Sequence, residues 1–157
     1  MEDFSSYTFG GVRALVQLHE QHLREFLEVW RQAKAAGVTL PETEDDNYAS
    51  LATLLKHVLG AAGWYMETMC ECLDLPDPSI DPVPAIDEVE TRAGEYLEHV
   101  LTRWRLPLVD ITEEQAYTPI RTTPSGAKLN LDAMLEHAVM HPIRHEFQLR
   151  ALLEAQP

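Results

Sequence analysis

Residues 131–153 constrain this chain more than any other stretch. They read Leu-Asp-Ala-Met-Leu-Glu-His-Ala-Val-Met-His-Pro-Ile-Arg-His-Glu-Phe-Gln-Leu-Arg-Ala-Leu-Leu. Apolar side chains recur at 131, 134/135, 138, 142, 149 and 152/153, the period of an amphipathic helix. His137, His141 and His145 sit inside that pattern at steps of four. Residues four apart lie one above the other on a helix. His141 and His145 can therefore turn two imidazoles toward one ion, with His137 one turn earlier. Neutral imidazole is the commonest protein metal ligand. Ordinary helix histidines are the plainer alternative. Pro142 stands in the same segment, where it removes one backbone hydrogen bond and crowds the carbonyl of Ala138. A kink is expected between His137 and His145.

The rest of the chain supplies three more helical patterns. Tyr7 to about Ala36 carries a stripe of Val12, Leu15, Val16, His19, Leu23, Phe26, Leu27 and Trp30, with Gly37 just past its end. His19 lies on that stripe and is retained as a neighbour of any site; His22 borders it. Ser50 is a good N-cap for a second helix reaching about Leu73. Its buried side is marked by Leu51, Leu54, Leu55, Val58, Ala62, Tyr65, Met66 and Met69, with His57 at the edge. Four prolines make Asp74 to Pro84 a stiff crossover. Ala85 to Leu106 reads as the third helix, with His99 off its stripe and on the surface. Between Pro107 and Leu129, Thr112-Glu-Glu-Gln115 has the form of a capping box, and Pro124-Ser125-Gly126 predicts a short β-hairpin. Asn130 caps the last helix. Four long amphipathic segments and one crossover predict an all-α four-helix bundle, a single domain over residues 1–157.

Charge narrows the partners. With 12 Lys and Arg against 26 Asp and Glu, the formal net charge is −14. Nucleic-acid binding needs clustered cations to neutralise phosphates, and none stands out, so a small-molecule substrate is expected instead. No apolar run approaches the roughly 20 residues of a membrane span. Met1-Glu-Asp-Phe-Ser-Ser lacks the character of a signal peptide. A cytoplasmic location without membrane attachment is the expectation. Cys70 and Cys72, two apart on a helix, point to nearly opposite sides and should neither pair nor share a metal.

Taken together, Ser50-Leu-Ala-Thr-Leu-Leu-Lys-His57-Val-Leu-Gly resembles the second helix of the DinB-like superfamily. Leu135-Glu-His137-Ala-Val-Met-His141-Pro-Ile-Arg-His145-Glu-Phe-Gln148-Leu is similar to its final helix, and Thr118 to Leu131 resembles the segment before it. The likeness runs through nearly the whole chain in order and spacing. It implies a four-helix bundle of DinB-like type, often a homodimer. It also implies a divalent metal held by one histidine of the second helix and a His-x-x-x-His of the last, here His57, His141 and His145. Members of that superfamily include metal-dependent thiol transferases, related to bacillithiol- and mycothiol-dependent enzymes, and a mycothiol-dependent isomerase. The family often continues His-Arg-Gly-Gln, whereas this chain has His145-Glu146-Phe147-Gln148. The ligands survive that change, while it counts against a co-substrate recognised through the Arg or the Gly.

Three neutral nitrogens leave coordination positions open, as a catalytic site requires, and suit Zn, Ni, Fe or Co. The leading expectation is metal-dependent transfer of a low-molecular-weight thiol to a small electrophile, with His137 or Glu146 supporting the ligands or carrying a proton. Metal-dependent hydrolysis is one alternative, and a non-catalytic metal-binding or stress-related protein is another.

Overall fold

The computed structural model describes residues 4–157. Helix α1 spans Gly10–Ala35, α2 Leu51–Cys72, α3 Val89–Trp104, the short α4 Glu113–Tyr117 and α5 Leu131–Glu154. Strands β1 (Pro119–Thr122) and β2 (Lys128–Asn130) pair antiparallel between α4 and α5. The chain is thus predominantly helical, with the expected hairpin in the expected place. Gly126 turns it at φ 86°, a conformation that favours glycine. None of the described helices is long and apolar enough to cross a membrane.

The apolar stripes read from the sequence form the core. Val12, Val16, Leu23, Phe26, Leu27 and Trp30 of α1 are buried, as are Leu54, Leu55, Val58, Met66 and Met69 of α2. Helix α1 packs chiefly on α5, and α2 packs on both α3 and α5. Two buried indoles tie α1 and α3 to α2, because a buried N–H must find an acceptor. Trp30 Nε1 donates to the Leu51 carbonyl at 2.7 Å, tying α1 to α2. Trp104 Nε1 donates to the Ala62 carbonyl at 2.9 Å, tying α3 to α2.

Local chemistry sets the helix ends. Ser50 and Thr53 close a reciprocal capping box, as do Thr112 and Gln115. Asn130 Oδ1 accepts from the Ala133 amide at 2.8 Å and starts α5. Gly37, at φ 70°, follows α1. Helix α1 begins at Gly10 rather than Tyr7, because the preceding residues are spent on another anchor. The Tyr7 hydroxyl donates to the Arg105 carbonyl at 2.7 Å, and the Thr8 amide to the Val109 carbonyl at 2.8 Å. Helix α3 begins at Val89 rather than Ala85. Glu88 provides no side-chain cap, and the stretch before it is a turn in which the Glu88 and Val89 amides both reach the Ala85 carbonyl, at 2.9 and 2.8 Å. The helix ends at Trp104, short of Pro107, which disfavours helical backbone in the residue before it.

The proline-rich crossover lies against α2 and α3. An added Cβ at Gly60 would sit 3.3 Å from Val83, and one at Gly63 3.2 Å from Ile80, so both glycines admit the crossover to the helix surface. His99 departs from expectation. It is not a free surface residue: its Nε2 accepts from the Asp81 amide at 2.8 Å and pins the crossover to α3. Helix α5 runs unbroken through Pro142, whose ring is buried.

Candidate metal centre

Two helix positions bring the site together. His57 lies two turns into α2, at the edge of its buried side. His141 and His145 lie one turn apart on α5, where it packs on α2. His145 is buried, and His57 and His141 are half-buried. One ring nitrogen from each of the three lies within 4.8 Å of the others. His57 Nε2 and His141 Nε2 are 2.9 Å apart. Two ligands at right angles, each about 2.1 Å from an ion, are separated by about 3 Å. Ring centroids are 4.8 Å apart for His57–His141, 5.5 Å for His57–His145 and 4.8 Å for His141–His145. Interplanar angles of 67°, 85° and 81° show that none of the three pairs is stacked face to face.

Ligation needs neutral imidazole, and the fold supplies it. Burial, then the neighbouring His145, His57 and Arg144, pushes His141 down to about 3. Burial also lowers His57, with the Asp45 carboxylate opposing it. His145 is lowered by burial against the opposing hydrogen bond to Gln148. That hydrogen bond orients the ring. His145 Nδ1 is 2.9 Å from Gln148 Oε1, with the Tyr48 hydroxyl at 3.4 Å. With the amide oxygen accepting, Nδ1 carries the proton and Nε2 keeps the lone pair a metal needs. Outer hydrogen bonds of this kind fix the tautomer of metal-binding histidines. The three residues are therefore close enough, neutral enough and oriented enough to hold a divalent ion.

The other sequence candidates fall elsewhere. His137 is exposed on α5, and among the described residues no hydrogen bond or ring contact joins it to the triad. Glu146 turns away toward His22 of α1, 3.9 Å from its Oε2, and is held by Arg150 of its own helix, whose Nε donates to Oε1 at 2.8 Å. His19 is buried, stacked on Trp104 at 3.6 Å and 8°, with no hydrogen-bond partner for Nδ1. Burial, and then the proximity of His141, pushes it down to about 3. Tyr48 was not legible as a site residue. It lies 97 positions from His145, at the end of a single 3-10 turn, Asp46–Tyr48, and no spacing in the sequence links it to α5.

Two clefts flank the triad. One, of about 470 Å³, is lined by His57 itself with Asp46, Asn47, Lys56, Trp64 and Val83. The other, of about 570 Å³, is largely apolar and reaches the site through Tyr48 and Gln148. Cys70 and Cys72 line neither, and burial, reinforced by Asp77 and Glu67, pushes the Cys70 thiol up to about 11.

No known family, no curated protein and no solved structure matches the chain.

Proposed function

We propose that this chain is a DinB-like four-helix bundle that transfers a low-molecular-weight thiol to a small electrophile, using a divalent metal held by His57, His141 and His145. The observation that carries this reading is the convergence of those three neutral imidazoles on one point, from helices far apart in sequence. A metal bound there supplies positive charge that favours a thiol as thiolate. The protein's own groups do the rest. Gln148 and Tyr48 hold His145 in the tautomer that ligates. The His57 cleft has the size of a small-molecule site. Within it, Lys56 offers a cation to an acidic substituent and Trp64 an aromatic face to an apolar one. Neither Cys70 nor Cys72 reaches the clefts, so the thiol comes from a co-substrate. A cytoplasmic homodimer belongs to the same proposal, and half-exposed Met140 with exposed Phe147 gives α5 an apolar outer edge for it.

A second reading is metal-dependent hydrolysis, favoured by one observation: Asp46 lines the cleft beside His57 and puts a carboxylate within the site's surroundings. The two separate in one assay. Metal-loaded protein is offered chromogenic electrophiles and esters, with and without bacillithiol, mycothiol and simpler thiols. Thiol-dependent turnover that His57→Ala abolishes supports transfer, and thiol-independent ester cleavage supports hydrolysis. Fully metallated protein that turns over nothing contradicts both and leaves a binding role.

A further inference from the structure

We propose a second divalent-cation site, separate from the triad, formed by His22 and Glu25 of α1 with Glu146 of α5. One ligand atom from each lies within 4.8 Å of the other two. His22 Nδ1 is 3.1 Å from Glu25 Oε2 and 3.9 Å from Glu146 Oε2. The first separation lies within the roughly 3.0–3.4 Å between ligands that share an ion at about 2.1 Å, and the second exceeds it by about 0.5 Å, within reach of a side-chain adjustment. His22 and Glu25 are three apart on α1 and so share a face, and Glu146 meets them from across the most extensive helix contact in the fold.

Two further observations distinguish this cluster from a surface ion pair. Close as it is to Glu25, the buried His22 Nδ1 makes no hydrogen bond. A buried imidazole nitrogen without an aligned hydrogen bond is costly, and an ion held between it and Glu25 would satisfy it. Glu146 has a side chain only 8 % exposed, and among the described residues the one Lys or Arg paired with it, Arg150, engages Oε1 through Nε and Nη2, both at 2.8 Å. Oε2 is left facing His22. Two carboxylates against one guanidinium leave local negative charge for a dication to neutralise. One imidazole and two carboxylates suit zinc or manganese better than a soft, thiolate-seeking ion. Bound there, the ion would clamp α5 to α1 behind the helix face that carries His145.

The test is Zn²⁺ uptake by the full chain, read by equilibrium dialysis with metal analysis and by thermal shift. Wild type should bind two equivalents. The double variant His57→Ala, His141→Ala should keep one, and adding Glu25→Gln should weaken that one tenfold or more. Glu25 is 41 % exposed, so its isosteric replacement leaves the fold intact, which circular dichroism verifies. His22→Gln should act the same way. Failure of the triad would show differently, as unchanged uptake between wild type and the double variant. Absence of zinc on the folded double variant, or retention indifferent to both Glu25→Gln and His22→Gln, would overturn the second site.

Discussion

His57 Nε2 and His141 Nε2 lie 2.9 Å apart, although 84 positions separate them in the chain. Two neutral rings can share a single proton across that gap. Both Nε2 atoms cannot carry a proton across that gap, so the pair resists protonation. Ligation by an ion would resolve the pairing and link α2 to α5.

Acid sensitivity follows from the buried imidazoles. Burial, and then the nearby His141, pushes His19 down to about 3 from the ordinary 6.5. Its folded pKa lies below its unfolded value, so the unfolded chain binds the proton first. The associated stability is complete above pH 6.5 and is lost progressively as pH falls toward 3. At pH 5 one such group costs about 2 kcal/mol, or roughly 4–8 °C in Tm for a chain of this size. His19→Phe keeps a ring against Trp104 and removes the titration. Thermal melts of the metal-free protein between pH 4.5 and 7.5 should show a shallower acid slope for the variant. An unchanged slope would mean His19 is not held neutral by burial.

Gln148 is exposed, so removing it should leave the fold alone. It nevertheless fixes the His145 ring. Gln148→Ala should weaken metal binding about 10–100-fold with Tm of the metal-free protein unchanged. Tyr48→Phe, which removes a longer contact of 3.4 Å, should weaken it less. Equal effects would reverse the assignment of the orienting partner.

Pro142 sits between two ligands in a continuous helix, where proline costs up to about 3 kcal/mol relative to alanine. Pro142→Ala should raise the Tm of the metal-free protein and lower zinc affinity about tenfold, because the Ala138 carbonyl regains its donor and His141 turns. Higher stability with unchanged affinity would make the proline a matter of packing alone.

The helices were legible because their apolar stripes repeat at the helical period and their caps are local. Ser50, Thr112 and Asn130 cap where their residue types predict. His141 and His145 were legible as a pair for the same reason: four residues on one helix is a local relationship. His57 was not. Periodicity put it at the edge of α2, and only a family resemblance linked it to α5. Tyr48 was invisible, because a residue of a single 3-10 turn meets His145 through the fold and not through spacing. Glu146 was read as support for the triad, but one residue on a helix turns about 100°, which carries its carboxylate to α1 and Arg150. His99 was misplaced on the surface because its partner, Asp81, lies in a crossover with no period to read.

The most direct test of the triad is zinc affinity near neutral pH, measured in a His22→Gln background so that one site is read. His57→Ala should weaken binding as severely as His145→Ala, despite their separation in sequence, and His99→Ala should leave it unchanged. Affinity should hold as pH drops through about 6.5, the free-imidazole value, and fall only in more acid solution, because burial keeps all three imidazoles neutral below that value. No zinc uptake near neutral pH, or full affinity retained by His57→Ala, would contradict the three-histidine centre and the thiol-transfer reading built on it.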